Sequence, residues 1–172
     1  TKNLYSYKKI TTRSNKFNFK FENAGFVCDG QIYTAKTTPK VFKHIALKNI
    51  ISHCNDDEFT IDSSELKKLK YLKGSKKIKR IKPDGAIYYY SEGAMNLLDD
   101  LNKPSRTMLT SEGSINRSSH IIKDPKSNKY RFLTPVECER LNEFPDNWTN
   151  TGMSTKRRYF MMGNALVCGI IS

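Results

Sequence analysis

The sequence contains no long apolar run and no recognisable pattern of metal ligands or disulfide cysteines. None of its apolar stretches approaches the roughly 18 residues of a membrane-spanning helix, which excludes a transmembrane segment of that type. The four cysteines are far apart, form no C-x-x-C pair and make no ligand pattern with the three histidines. A zinc site and a disulfide framework are therefore not expected, and we expect reduced thiols in a cytosolic protein.

Acidic residues are also scarce, and the imbalance is concentrated in one half of the chain. The 172 residues include 30 lysines and arginines but only 17 aspartates and glutamates, a net charge of +13. Residues 1–90 carry +11 of this excess and residues 91–172 only +2. The densest stretch, Lys67–Lys82, has nine cations and no acid. Such a run repels itself unless a polyanion neutralises it, so we predict contact with nucleic acid; a solvated, solubilising face is the alternative.

The first half of the chain has patterns typical of strands and one amphipathic helix. Alternating residues at 17–21 and 31–34, with Asp29-Gly30 as a tight turn, predict strands and a hairpin. Residues 45–51 are expected to form a short helix. A further strand is predicted at 86–90, where three consecutive tyrosines occur.

The amphipathic helix is predicted to begin at Asp62 or Ser63 and to end at Gly74. Asp62-x-x-Glu65 resembles a capping box. Leucines recur every third residue at 66, 69 and 72, so they are expected to pack inward while the lysines face outward.

The second half predicts short elements with sharper boundaries. We expect a strand at 106–110, and a hairpin formed by 120–124 and 130–133. Thr134-Pro135-Val136-Glu137 places a capping hydroxyl, a proline and a glutamate where a helix begins. A second helix is expected from Ser154 to Met162, ended by Gly163-Asn164, and residues 165–171 are apolar enough to predict a buried helix.

Two segments in this half resemble motifs of the DNA (cytosine-5) methyltransferases. One, which resembles the ninth motif of that family, reads Arg131-Phe132-Leu133-Thr134-Pro135-x-Glu137-x-x-Arg140-Leu141-x-x-Phe144-Pro145-Asp146. The other, Gly163-Asn164-Ala165-Leu166, resembles the Gly-Asn-x-Val tenth motif, with Leu166 in place of valine. Residues 103–113 resemble the segment in which the family's target-recognition region returns to the conserved frame. Together the resemblance covers about residues 103–169, in the family's order and spacing.

The resemblance implies an α+β chain with two parts. Residues 1–102 would be a strand-rich target-recognition domain that binds DNA, which agrees with the charge excess in that half. Residues 103–172 would contain the ninth and tenth motifs and return to the catalytic lobe. Their short C-terminal helices normally pack on a Rossmann-like methyltransferase lobe that is absent from this chain.

The residues that perform the family's chemistry are missing. No cysteine follows a proline, and neither Glu-Asn-Val, Phe-x-Gly-x-Gly nor Gln-x-Arg-x-Arg occurs. Attack on cytosine carbon 6 requires a thiolate and a supporting acid, so we expect no catalytic residue here and no activity from this chain alone. The sequence begins with Thr1, not methionine, without signal-peptide features. We interpret it as a C-terminal fragment or subunit of a methyltransferase of restriction–modification type that recognises a specific duplex site.

Three groups of candidate site residues follow from the residue types and the resemblance, and no metal site is expected. The DNA-binding candidates are Lys73, Gly74, Lys76, Lys77, Lys79, Arg80, Arg106 and Arg117. The three arginines are the candidate base readers, because arginine binds guanine with two hydrogen bonds; a salt bridge for Arg106 and a phosphate contact for Arg117 are the alternatives. By resemblance, Asn164, Ala165 and Leu166 would lie beside S-adenosylmethionine. The expected domain junction comprises Arg131, Thr134, Glu137, Arg140, Phe144 and Pro145.

The expected partners are double-stranded DNA and the N-terminal catalytic lobe, whether in one longer chain or in a separate subunit. The resemblance implies a bacterial cytoplasmic protein associated with the nucleoid, with no membrane partner. A non-catalytic basic DNA-binding module remains the alternative function. A nuclease would need clustered carboxylates for a metal, for which Asp56-Asp57-Glu58 is the single candidate.

Overall fold

The computed structural model describes residues 2–16, 18, 20–41, 43–54 and 56–171. The chain divides into two compact units, Thr1–Lys43 and His44–Ser172. The predicted functional boundary between residues 102 and 103 lies inside the second unit, and that functional division stays a prediction. No helix within the described part of the chain has the length and apolar composition needed to cross a bilayer.

The first unit is a small antiparallel sheet. It contains β1 (Lys2–Asn3), α1 (Ile10–Asn15), β2 (Ala24–Cys28) and β3 (Gln31–Ala35), with the strand order β1-β3-β2. Asp29 and Gly30 join β2 to β3 with φ angles of 46° and 71°, the positive values that a two-residue hairpin turn requires. The predicted hairpin is therefore confirmed. The predicted strand at 17–21 falls partly outside the described residues, since 17 and 19 are not described, and residues 18, 20 and 21 lie in no strand.

The second unit begins with two 3-10 turns, a helix and a hairpin. The turns are Leu47–Asn49, where a short helix was expected, and Asp57–Phe59. Helix α2 (Ser63–Lys73) begins with both hydrogen bonds of the predicted capping box and ends at Gly74. Strands β4 (Lys76–Ile81) and β5 (Ile87–Glu92) then form a two-stranded antiparallel sheet. The lysine run is thus divided between the end of α2 and the whole of β4.

The rest of the unit contains a short hairpin and three helices. These elements are β6 (Ile121–Lys123), β7 (Tyr130–Phe132), α3 (Pro135–Leu141), α4 (Thr155–Asn164) and α5 (Cys168–Ile171). Both the predicted hairpin and the complete capping box of α3 are present.

Three expectations for this part are wrong. Residues 106–110 form no strand, because 106–109 pair with no neighbouring strand and Thr110 lies in a turn. Helix α4 continues through Gly163 and ends at Asn164, with Ala165 as its C-cap. The apolar helix predicted over residues 165–171 is a single exposed turn, with Ile170 81% exposed.

The β6–β7 hairpin lies between two apolar clusters and supplies residues to both. Ile121 and Ile122 are fully buried, and as neighbours on a strand they point to opposite faces. Ile121 packs with Leu69 of α2, whereas Ile122 packs with Leu133 and with Tyr159 of α4. The result is a small mixed α/β fold with α2 on one side of the hairpin and α3 and α4 on the other.

Candidate nucleic-acid interface

The hairpin of β4 and β5, residues 76–92, is here named the basic ribbon. Its six residue pairs run from Lys76 opposite Glu92 to Ile81 opposite Ile87. The connecting turn is closed by a 2.8 Å hydrogen bond from the Lys82 amide to the Ala86 carbonyl, with Gly85 at a φ angle of 81°. Exposed residues occur on both of its faces, so the ribbon projects from the unit.

The two faces of the basic ribbon present different cations. On one face, the Arg80 guanidinium lies over the Tyr90 ring, 4.3 Å from its centroid. On the other face, the Lys77 ammonium lies 5.1 Å from the centroid of the Tyr89 ring, and Lys79 is exposed beside it. Aromatic rings attract cations at these distances, so the rings help to hold Arg80 and Lys77 in place.

Large apolar side chains are exposed beside these cations. Ile81 and Ile87 are 70% and 56% exposed, and Tyr89 is 57% exposed. A two-stranded hairpin with nothing packed on either face is at best marginally stable in water. Exposed apolar residues among cations indicate a surface that a partner covers.

Arg117 fastens the base of the basic ribbon to α2. Its guanidinium donates to the carbonyl oxygens of Leu72 (2.8 Å), Gly74 (3.2 Å) and Gly93, and lies 3.5 Å from Glu92. The hydrogen-bond donors of Arg117, a candidate base reader, are therefore occupied by partners within the protein. Lys76 is held similarly, because its ammonium donates to the Leu72 carbonyl at 2.8 Å and pairs with Glu92 at 3.5 Å.

The side chains of two further DNA-binding candidates, Lys73 and Arg106, also form hydrogen bonds within the protein. Lys73 is 1% exposed and donates to the Ser119 carbonyl at 2.8 Å, so it is not part of the exposed basic surface, contrary to the sequence-based assignment. Burial lowers its pKa, and the nearby Arg106 guanidinium adds to this effect. Arg106 forms a two-pronged pair with Asp99 at 2.6 and 3.2 Å, which is the alternative considered for it. Gly74 caps the end of α2.

The structure brings the junction candidates of the ninth-motif segment together in a buried network. The Arg131 guanidinium donates to both carboxylate oxygens of Glu137, at 2.8 and 2.9 Å, and to Asp124 at 3.0 Å. Glu137 also accepts from the amides of Thr134 (2.7 Å) and Ser52 (2.8 Å). Burial acts to raise the pKa of Asp124, but hydrogen bonds from the Ser127 amide, from Arg131 and from the Lys126 amide hold it well below its usual value.

Arg140 and Phe144 extend this network along α3. Arg140 donates to the Ile50 carbonyl at 3.0 Å and to Asp146 at 2.7 Å. Phe144 packs against the cluster that contains Leu133, and Pro145 lies exposed beside it. The sequence marked these residues as one motif, and in the structure Arg140 joins α3 to residues 50–52.

The three candidate cofactor residues lie at the end of α4. Asn164 is exposed and its amide donates to the Phe160 carbonyl at 3.0 Å. Ala165 packs partly on the core, whereas Leu166 is 69% exposed. A groove of about 480 Å³ runs beside Asn164 and Ala165, and Phe144 and Trp148 form part of its wall.

Gly163, which precedes these residues, lies where the packing leaves no room for a side chain. A Cβ atom there would lie 2.4 Å from the Thr110 nitrogen and 2.5 Å from the Leu109 carbonyl carbon. The backbone of residues 109–110 therefore rests directly on α4. This contact connects the end of α4 to the segment that contains Arg106 and Arg117.

Sequence reasoning missed the charge of the first unit and one contact on the basic ribbon. The first unit holds nine lysines and arginines against two acids, +7 of the total charge, which a count by unit would have found. Glu92 was not singled out, yet it accepts a 2.6 Å hydrogen bond from the Tyr90 hydroxyl. Only the strand register could have placed that pair beside Arg80.

Comparisons with known proteins agree with the motif resemblance. A family model described as C-5 cytosine-specific DNA methylase matches residues 5–172. The chain is 52% identical over 163 residues to the Type II methyltransferase M.Sau3AI of Staphylococcus aureus, a match that covers 95% of this chain and 39% of that protein.

Two solved structures share the fold at low identity. The methyltransferase EhMeth of Entamoeba histolytica matches with a TM-score of 0.50 and 17% identity, covering 76% of this chain and 39% of its own. A mutant of Spodoptera frugiperda DNMT2 matches with a TM-score of 0.54 and 17% identity, covering 87% and 47%. The chain thus spans less than half the length of each of these three proteins.

Proposed function

The chain belongs to the C-5 cytosine-specific DNA methylase family, and we propose that it is the C-terminal, DNA-recognising part of a DNA (cytosine-5) methyltransferase of restriction–modification type. The complete bacterial enzyme would methylate carbon 5 of cytosine within a specific duplex site. The catalytic lobe, with its Pro-Cys nucleophile and Glu-Asn-Val motif, would come from a longer chain or a second subunit. The type II assignment of the Staphylococcus aureus relative supports the restriction–modification role.

The observation that carries this proposal is the exposed basic ribbon. The major groove of B-DNA admits a two-stranded ribbon, and the exposed Lys77, Lys79 and Lys82 would bind the phosphates along its edges. Extruding a cytosine from the duplex costs a few kcal/mol, which these contacts would help to offset. Because Arg117 fixes the base of the ribbon to α2, binding of the ribbon to DNA would also fix the position of the rest of the unit relative to the DNA.

The junction network would hold this DNA-binding part in register with the catalytic lobe. Arg131, Glu137 and Asp124 are buried and bind one another directly, so α3 has a single position relative to the β6–β7 hairpin. Next to it, Trp148, Phe160 and Met161 are 60%, 46% and 43% exposed. These apolar side chains fit a surface that the catalytic lobe covers.

S-adenosylmethionine is the methyl donor expected from the family, and the residues present fit one edge of its pocket. Asn164 offers an exposed amide, Ala165 and Leu166 offer backbone groups, and the adjoining groove has an aromatic wall. The cofactor supplies an electrophilic methyl group when it is bound. The remainder of the pocket would belong to the catalytic lobe.

The salt dependence of DNA binding tests the proposed role of the basic ribbon. We expect the complete enzyme with Lys77, Lys79 and Lys82 replaced by glutamine to bind a fluorescent duplex of random sequence more weakly. The slope of log affinity against log salt should flatten by about two to three units, because each phosphate contact contributes about −0.9.

The matched control replaces three other exposed lysines, Lys103, Lys123 and Lys126, and should leave the slope unchanged. Equal slopes for both triple variants would show that the ribbon lysines are a solubilising face. The competing function, a non-catalytic DNA-binding module, predicts that the ribbon variant loses DNA binding while the chain never supports methylation when combined with the catalytic lobe.

A further inference from the structure

Among the three arginines that could read a base, only Arg80 has a guanidinium that is free to do so. Arg106 is paired with Asp99 and also donates to the Ser118 carbonyl at 3.2 Å. Arg117 is occupied by three backbone carbonyls at the base of the ribbon. Arg80 is exposed and, among the residues that the structure describes, has no carboxylate within ion-pair distance.

Arg80 is nevertheless held in position. Its guanidinium stacks on the Tyr90 ring at 4.3 Å, and the Tyr90 hydroxyl donates to Glu92 at 2.6 Å. The Glu92 carboxylate in turn lies 3.5 Å from both Lys76 and Arg117. The ring under Arg80 is therefore fixed at its hydroxyl end to the rigid base of the ribbon, which lowers the entropy that Arg80 would lose on binding.

The strand register places Arg80 near the tip of the ribbon, where its side chain could reach the edge of a base. Arg80 pairs with Tyr88, one pair before the last pair of the ribbon, Ile81 opposite Ile87. The lysines Lys77 and Lys79 lie on the opposite face, because side chains alternate along a strand. One face near the tip thus carries a single oriented guanidinium, and the other carries ammonium groups suited to phosphates.

We propose that Arg80 reads a guanine in the major groove of the recognised site, with Tyr90 and Glu92 as its positioning residues. A guanidinium fork matches the O6 and N7 acceptors of guanine in a fixed planar geometry, whereas an ammonium group on a flexible stem contacts the same acceptors with less geometric constraint. This inference rests on the proposed function, because it assumes that the ribbon contacts DNA.

The test uses the complete methyltransferase and a library of duplexes randomised around one cytosine. Methylated molecules are identified by bisulfite sequencing, and the preference for each base is measured at every position. For the unmodified enzyme we expect at least one position at which guanine is required. Arg80→Gln should reduce discrimination at one guanine position roughly 5- to 150-fold, the range for loss of a bidentate contact, and should leave the other positions unchanged.

Three further variants separate positioning from simple charge. Arg80→Lys keeps the charge but not the planar fork, so it should preserve the salt slope and reduce discrimination at the same guanine by less than Arg80→Gln does. Tyr90→Leu removes the stacking ring, so we expect weaker discrimination at that same position with an unchanged salt slope. Tyr90→Phe keeps the ring and loses only the hydroxyl bond to Glu92, so its effect should be smaller than that of Tyr90→Leu.

The outcomes distinguish this inference from the proposed function. If Arg80→Gln weakens all sequences alike, as Lys79→Gln should, Arg80 binds phosphate and the inference is wrong while the ribbon still binds DNA. An unmodified enzyme that requires no guanine would also overturn it. If neither Arg80 nor the ribbon lysines affect DNA binding, the proposed role of the ribbon itself fails. Thermal unfolding of each variant confirms that the fold is intact.

Discussion

Basic side chains serve two opposite purposes in this chain, and burial decides which. Lys73, Arg106 and Arg131 bind carbonyl or carboxylate oxygens inside the fold, because a charge removed from water must be compensated. Lys79 and Arg80 remain exposed on the basic ribbon. The same residue types in neighbouring positions therefore differ in burial and in hydrogen-bond partners, and no composition count separates them.

The buried pair of Arg131 and Glu137 should be the most sensitive charge contact in the chain. We expect Glu137→Gln to lower the free energy of unfolding by about 3 kcal/mol, the lower end of the range for a broken buried ion pair, because Arg131 would keep Asp124 as a carboxylate partner. Urea denaturation measures the change. The control Asp57→Asn removes a carboxylate from an exposed pair with Lys129 and should cost at most about 1 kcal/mol. Equal effects would show that the network does not stabilise the fold.

Asp124 should make the protein less stable at acidic pH. Hydrogen bonds hold its pKa in the folded protein below its usual value, so the folded state favours the ionised form. Its contribution is therefore complete above about pH 4, the unfolded value, and is lost as the pH falls toward the folded value. Denaturation at a series of pH values should show this decline, and Asp124→Asn should flatten it. Parallel curves for the two proteins would contradict the assignment.

At the scale of elements, the sequence predicted what local chemistry determines. The capping boxes at Asp62 and Thr134 and the Asp29-Gly30 turn use contacts between residues two or three positions apart, and all three are present. The grouping of Arg131 with Glu137 was also predicted, through the motif they share.

The failures have tertiary causes. Helix α4 passes through Gly163, where the backbone of residues 109–110 lies against it, and no local pattern encodes that contact. Residues 106–110 have strand composition but no paired edge. The lysines after Gly74 were predicted to contact DNA but were given no secondary structure, yet they form β4; only the pairing with the tyrosine segment determines that strand.

The contact between α4 and residues 109–110 should make Gly163 intolerant of a methyl group. Alanine favours helices over glycine by about 1 kcal/mol, so an unconstrained site would be stabilised by Gly163→Ala. Here the added Cβ would meet backbone atoms at 2.4 Å, and overpacking typically costs about 1–3 kcal/mol. We expect a lower urea midpoint for Gly163→Ala. Gly93→Ala is the control, since its Cβ would meet nothing within 4 Å.

At the scale of the whole molecule, positive charge is spread over both units. The first unit carries nine cations and two acids, more than half of the net charge in a quarter of the chain. The ribbon lysines therefore account for only part of the expected salt dependence, and the ribbon variant should retain a measurable slope. In contrast, residues 91–172, which contain the ninth- and tenth-motif segments, carry only +2. Charge would thus direct DNA toward the N-terminal half, while the C-terminal half would face the catalytic lobe.

The proposed separation of DNA recognition from catalysis leads to a prediction about methyl transfer by this chain alone. We expect the purified chain to transfer no methyl group from S-adenosylmethionine to DNA, because none of its four cysteines follows a proline and no thiolate is set for attack on cytosine. Incorporation of labelled methyl groups into duplex DNA measures this. Adding the catalytic portion of the methyltransferase should restore incorporation, and adding it with the ribbon triple variant should restore less. Methyl transfer by the chain alone, free of host enzyme, would mean that it contains a nucleophile outside the family's pattern.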